Sequence, residues 1–188
     1  MKNSVFVFPT DTSYGIGCDA RNSDAVAKVF LMKGRSRAKS VSLIAASQKM
    51  VAKFVESREL RHKEIKRVMN AHWPGSLTLV LTANAHARAT LARGVIARDG
   101  TIAIRVPDYQ FARELSQKIG APIVATSANK SGEPACYSAA AVRRIFKGAP
   151  TVPDMIIDEG TLPKHPASTI ARFTKGHWEI LRAGAVKL

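Results

Sequence analysis

Short apolar runs alternate with segments of helical periodicity along the whole chain, and that alternation constrains the fold more than any other feature. Residues 5–8, 42–46, 77–81, 101–106 and 123–126 read as strands, and 155–157, 168–173 and 178–181 read as three more. Between them Ala25, Val26, Val29 and Phe30 recur at helical spacing behind a cap at Asn22 or Ser23, with Asp24 in the first turn. Ile65, Val68, Met69 and His72 share one face of a basic helix that stops at Trp73-Pro74-Gly75. Phe111, Leu115 and Ile119 mark another helix, ended by Gly120, and Ser138 caps a last one carrying Val142, Ile145 and Phe146. A polar, Gly-rich turn is expected over residues 10–17. Strands that alternate with helices, without a repeat, low-complexity tract or linker, specify one α/β domain with a sizeable mixed sheet.

Charge narrows the class of partner. Of 188 residues, 29 are Lys or Arg and 14 are Asp or Glu, a formal balance of +15. Such a field draws anions: nucleotides, pyrophosphate, RNA or an acidic membrane surface. Cys18 and Cys136 form neither a disulfide framework nor a metal-spacing pattern, which suits a reducing cytosol. The opening MKNSVFVFPTDT is too short in apolar residues for a signal-peptide core, and no stretch reaches the roughly 18 apolar residues of a membrane span. A cytoplasmic protein without a membrane partner is expected.

Four polar clusters sit where strands stop: Thr10-Asp11-Thr12, Arg105, Ser127-Ala128-Asn129 and Ser168-Thr169. Ligands of α/β sheets bind in the crevice beyond strand ends. If these ends converge, hydroxyls, an amide and an Arg line a pocket suited to a small zwitterion or a ribose and to a carboxylate or phosphate. Taken singly, each cluster also fits a plain turn, and Arg105, set within Ile-Ala-Ile-Arg-Val-Pro, also fits an internal ion pair. Lys33-Gly34-Arg35, with Lys39 beyond, brings three cations together around a glycine and is able to hold a polyphosphate or to remain a solvated basic loop. Neither G-x-x-x-x-G-K-[ST] nor G-x-G-x-x-G is present; Gly15-Ile16-Gly17 lacks the third glycine. The five His show no ligand spacing with Cys or carboxylates, so no protein-bound metal is assigned, and His72 is expected in the core. Few candidate bases are available, which favours phosphate chemistry driven by positioning and electrostatics.

In order along the chain, FPTDTSYGIGCDA from Phe8, LMKGR from Leu31 with Lys39, WPGSLTLVL from Trp73, IAIRVP from Ile102, VATSANKSG from Val124, Ser168-Thr169 and ILRAG from Ile180 resemble the YrdC-like threonylcarbamoyl-AMP synthases. The resemblance runs from Phe8 to Gly184 and covers nearly the whole chain, so residues 1–188 are expected to form a single YrdC-like domain with a concave basic face. It implies a nucleotidyltransferase that joins L-threonine, bicarbonate and ATP into threonylcarbamoyl-AMP and pyrophosphate, with Mg²⁺ carried by the phosphates. A downstream complex then moves the threonylcarbamoyl group to adenosine 37 of tRNA. Matched motif by motif, Lys33 and Arg35 are the catalytic contacts to the ATP phosphates, with Lys39 nearby. Thr101, Asn129 and Arg182 hold the nucleotide; Thr12, Arg105, Ser127 and Ser168 hold threonine, and Arg105 takes its carboxylate.

This chain departs from the family pattern in places. It begins almost at the first strand, where members usually carry a helix, and it ends soon after ILRAG, short of the extra domain of longer members. Ser40 stands where a Pro usually follows Lys39, and Ile44 where some members have a His. A different reading, a non-catalytic double-stranded RNA or tRNA-binding module on the same basic face, fits the net charge. It is set against a 6% aromatic content and the lack of a stacking motif such as RNP1.

Overall fold

The computed structural model describes residues 3–36 and 40–188. In chain order the elements are β1 (Phe6–Phe8), β2 (Gly15–Asp19), α1 (Ser23–Lys33), β3 (Ser42–Ile44), α2 (Gln48–Val51), α3 (Ser57–Arg61), α4 (Lys63–His72), β4 (Leu77–Thr82), α5 (Ala85–Thr90), β5 (Thr101–Arg105), α6 (Gln110–Ile119), β6 (Ile123–Ser127), α7 (Ala139–Phe146), β7 (Met155–Ile156), β8 (Thr169–Thr174) and β9 (His177–Arg182). Among the described residues the strands form one mixed sheet in the order β7-β1-β2-β6-β3-β5-β4-β8-β9. The expected single α/β sheet with helices is therefore the observed architecture.

Side chains alternate between the two faces of a strand, and the register sorts them into two unequal layers. One face carries Val5, Val7, Ile16, Leu43, Leu77, Leu79, Ile102, Ile104 and Val124, which join α1 and α4 in the main core. Each such side chain withdrawn from water contributes about 1.5–3 kcal/mol. On the opposite face α6 covers only part of the sheet. Ala112 and Leu115 of the helix pack on Phe6, Phe8, Ile44 and Ile123. The rest of that face stays open, and it is where the polar residues gather.

Local chemistry explains the element ends. Asn22 Oδ1 accepts from the Ala25 N–H at 2.8 Å and caps α1. At its other end Gly34 takes a left-handed φ of 57°, and the Arg35 N–H reaches back to the Phe30 carbonyl at 3.1 Å. That six-residue closure needs a glycine for its backbone angle. Asn84 and Ser138 cap α5 and α7 in the same way, and Gly120 ends α6 with φ 75°.

One expectation is corrected here. The Gly-rich turn predicted over residues 10–17 ends early, because Gly15–Asp19 is strand β2, paired on both sides. Its glycines disguise a strand made for close approach: a Cβ on Gly17 would lie 1.8 Å from the Val124 carbonyl oxygen. The short helices α2, α3 and α5 carry no long periodic stripe and were not legible as elements.

Candidate functional site

The open part of the sheet face forms a cavity of about 590 Å³ that crosses β6, β3, β5, β4 and β8 through Ser127, Ile44, Arg105, Thr78 and Ile170. Four interstrand steps of about 4.8 Å give it a span near 19 Å. The site thus lies across the face of the sheet and not beyond the strand ends. The reason is α6, which shields one part of the face and leaves the remainder uncovered. Ser168, expected inside a strand, precedes β8 and lines the cavity from a segment that spans the sheet. Residues 157–168 carry the chain from edge strand β7 to β8 near the other edge, tied down where the Leu162 N–H meets the Tyr137 carbonyl at 2.7 Å.

At the β6 side the K-G-R turn and the S-A-N loop are locked together. Lys33 is 2% exposed, and its ammonium donates to the carbonyls of Ser127 (2.5 Å) and Asn129 (2.8 Å) and to Asn129 Oδ1 (3.1 Å). Ser127 Oγ donates to the same Oδ1 at 2.5 Å, Asn129 Nδ2 donates to the Glu133 carbonyl, and the Ser131 N–H meets the Lys33 carbonyl at 2.9 Å. Burial, with the charge of Arg35 second, lowers the Lys33 pKa to about 8. Arg35 donates to the Ser40 carbonyl at 2.7 Å, and partial burial lowers its pKa as well. All three N–H donors of this ammonium are taken by the S-A-N loop, so it offers a bound anion a fixed buried charge.

At the β5–β8 side stand two more cations. Arg105 is 7% exposed, and its Nη1 donates to both carboxylate oxygens of Asp11 at 2.8 Å. The ion-pair reading of Arg105 therefore has a partner, and among the described residues its bonds are made through Nη1. Arg182 Nη2 donates to the Ser168 carbonyl at 2.5 Å and to Ser168 Oγ at 2.8 Å, and Ser168 Oγ meets Thr78 Oγ1 at 3.0 Å. The Arg182 guanidinium is partly withdrawn from water against Ser168, and that withdrawal, followed by the charge of Arg105, lowers its pKa.

Lys33, Arg35, Asn129, Thr12, Arg105, Ser127, Ser168 and Arg182 all line this cavity. One of the residues expected there does not join them. Thr101 shares the Arg105 face of β5 but sits at the strand's other end, paired with Thr82 and bonded through Oγ1 to Asp99 Oδ1 at 2.6 Å. A five-residue strand simply carries its first residue too far from its last. Lys39 lies outside the described residues. His72 is half-buried at the end of α4 and takes no part. Sequence reasoning passed over Asp11, which reaches Arg105 from the first polar cluster, and Thr78, a hydroxyl on the outward beat of an alternating strand. Among the described residues no three His, Cys, Asp or Glu side chains gather as a metal site. Glu133 is the carboxylate residue among those described as lining the cavity.

An open mixed sheet whose uncovered face holds two pairs of cations with hydroxyls between them defines an α/β protein built to bind an anionic, phosphate-bearing ligand. The Sua5/YciO/YrdC family model, described as telomere recombination, matches residues 1–184, and the chain belongs to that family. A protein of Idiomarina loihiensis named threonylcarbamoyl-AMP synthase is 36% identical over 161 residues, covering 86% of this chain and 82% of its own. The crystal structure of P. abyssi Sua5 complexed with L-threonine superposes with a TM-score of 0.85 at 31% identity. That match covers 97% of this chain and 51% of the Sua5 chain, so this chain spans about half its length. E. coli YciO, at 22% identity and a TM-score of 0.80 over 99% of this chain and 85% of its own, shares the fold. No helix among the described residues is long and apolar enough to cross a membrane.

Proposed function

We propose that this chain is a threonylcarbamoyl-AMP synthase, a nucleotidyltransferase that joins L-threonine, bicarbonate and ATP and releases pyrophosphate. The observation that carries the reading is the split of charge within one cavity, with Lys33 and Arg35 at the β6 side and Arg105 and Arg182 at the β5–β8 side. A triphosphate and an amino-acid carboxylate each need cations, and a span near 19 Å gives room for both. Its resemblance to proteins named for this activity and to a Sua5 structure holding L-threonine supports the same assignment.

In this reading Lys33, Arg35 and Lys39 hold the phosphates. Lys33 offers a desolvated point charge where negative charge builds as pyrophosphate leaves. Asn129 fixes Lys33 through Oδ1 and its own carbonyl, so its part in nucleotide binding is carried by the ammonium it holds. Arg182 closes over the nucleotide from Ser168. Arg105 takes the threonine carboxylate, and the hydroxyls of Thr12, Ser127 and Ser168 face the rest of the amino acid. Threonine's amine takes up bicarbonate as a carbamate with loss of water, and the carbamate oxygen displaces pyrophosphate from the α-phosphorus. Among the described residues no cluster of carboxylates or His could cage magnesium, so the phosphates themselves would hold the ion, supplying charge neutralisation there. The product supplies a downstream threonylcarbamoyl-transfer complex acting on tRNA, which belongs in the cytoplasm.

Mass spectrometry of a reaction containing carbon-13 bicarbonate tests the assignment. A labelled adenylate that also carries threonine is the expected product. Labelled bicarbonate left wholly unincorporated by folded protein contradicts it.

A further inference from the structure

We propose that Asp11 is the positioning residue that sets Arg105 for the threonine carboxylate, and that Ser76 fixes Asp11 in turn. This rests on the synthase reading and goes beyond it, since Asp11 itself touches no substrate. Three separate chain segments meet at this carboxylate. Thr10 builds the turn that presents it. Thr10 Oγ1 donates to the Ser13 carbonyl at 2.7 Å and accepts the N–H groups of Thr12 and Ser13 at 3.2 and 3.3 Å. The same turn delivers the Thr12 hydroxyl to the cavity. Ser76 Oγ then donates to Asp11 Oδ2 at 2.9 Å. Ser76 is itself held by the Thr169 N–H on its carbonyl at 3.0 Å, and its neighbour Gly75 by an N–H bond to the Val106 carbonyl at 2.8 Å. A Cβ on Gly75 would lie 2.6 Å from the His72 carbonyl oxygen, so this turn accepts only glycine without moving.

The guanidinium is a rigid planar fork, so fixing one nitrogen fixes the direction of the other donors. Asp11 engages Nη1 with both oxygens. Nη2 and Nε remain for a second carboxylate, whose plane the first pair dictates. Charge balance agrees with this division. Asp11 offsets the formal charge of Arg105 without taking its other donors, and Arg182 stands close enough to Arg105 to add to the positive field an incoming carboxylate meets. An ion pair that served stability alone would have no need of an open donor edge in a substrate cavity.

The test is calorimetric binding of L-threonine and of ATP to the full chain and to Asp11→Asn, an isosteric change that keeps an acceptor but removes the charge and the symmetric grip. Threonine affinity is expected to weaken by about tenfold or more while ATP affinity holds within about twofold. Ser76→Ala, a smaller change, should move threonine affinity in the same direction, and it decides the question if Asp11→Asn does not fold. Equal weakening of both ligands, or unchanged threonine affinity, overturns the proposal and leaves the synthase reading standing. A wild-type chain that binds neither ligand overturns both.

Discussion

The ammonium of Lys33 is joined to Asn129 twice, through the main-chain carbonyl at 2.8 Å and the side-chain oxygen at 3.1 Å. Those contacts place a charged group among buried atoms, with Ser127 completing the shell. Lys33→Ala should therefore lower kcat/KM for ATP by roughly a hundredfold, the usual loss when one charge-stabilising donor is removed from an active site. Steady-state kinetics with ATP varied will measure it. Wild-type pyrophosphate release from the variant would remove Lys33 from the site.

Burial brings the Lys33 pKa down to about 8, so its charge titrates within the working range. Below that pH the side chain is a cation, and above it the charge that attracts phosphate is lost. The profile of kcat/KM for ATP, which reports the free enzyme, should fall as pH rises through about 8. The residual activity of Lys33→Ala should lack that limb. A wild-type profile flat from pH 7 to 9 would contradict the assignment.

Arg105→Ala should raise the half-saturating threonine concentration roughly ten- to hundredfold, the worth of hydrogen bonds to a charged group. ATP saturation should change little, because Arg105 stands two strands from Ser127 in the sheet order. Initial rates with each substrate varied in turn separate the effects, and an equal loss in both would count against the carboxylate role.

Gly17→Ala tests the sheet itself. The new methyl would fall 1.8 Å from the Val124 carbonyl oxygen, so β2 and β6 must separate. Destabilisation of about 3 kcal/mol or more is expected, read as a lower denaturation midpoint. A midpoint like that of the wild type would show the pairing to be wrong.

Much of this was legible in sequence because the signals were local. Asn22, Gly120 and Ser138 mark helix ends by their own chemistry, and the apolar run over residues 77–81 marks a strand. What escaped depends on partners distant along the chain. Gly15 and Gly17 read as a turn until the backbone of β6 lies against them. The partner of Arg105 lies 94 residues away at Asp11, and no local pattern announces it. Thr101 shows the opposite failure: it belongs to the right strand and the right face but to the wrong end. The crevice beyond strand ends gave way to an open sheet face, since how much of a sheet one helix covers is a tertiary matter.

The most direct measurement is pyrophosphate release with L-threonine, bicarbonate and ATP together, then with each left out. Release that requires all three is the result this account expects from a cavity with Lys33 and Arg35 for phosphate at one side and Arg105 for a carboxylate at the other. Release that continues without threonine or without bicarbonate, or none at all from folded protein, would contradict it.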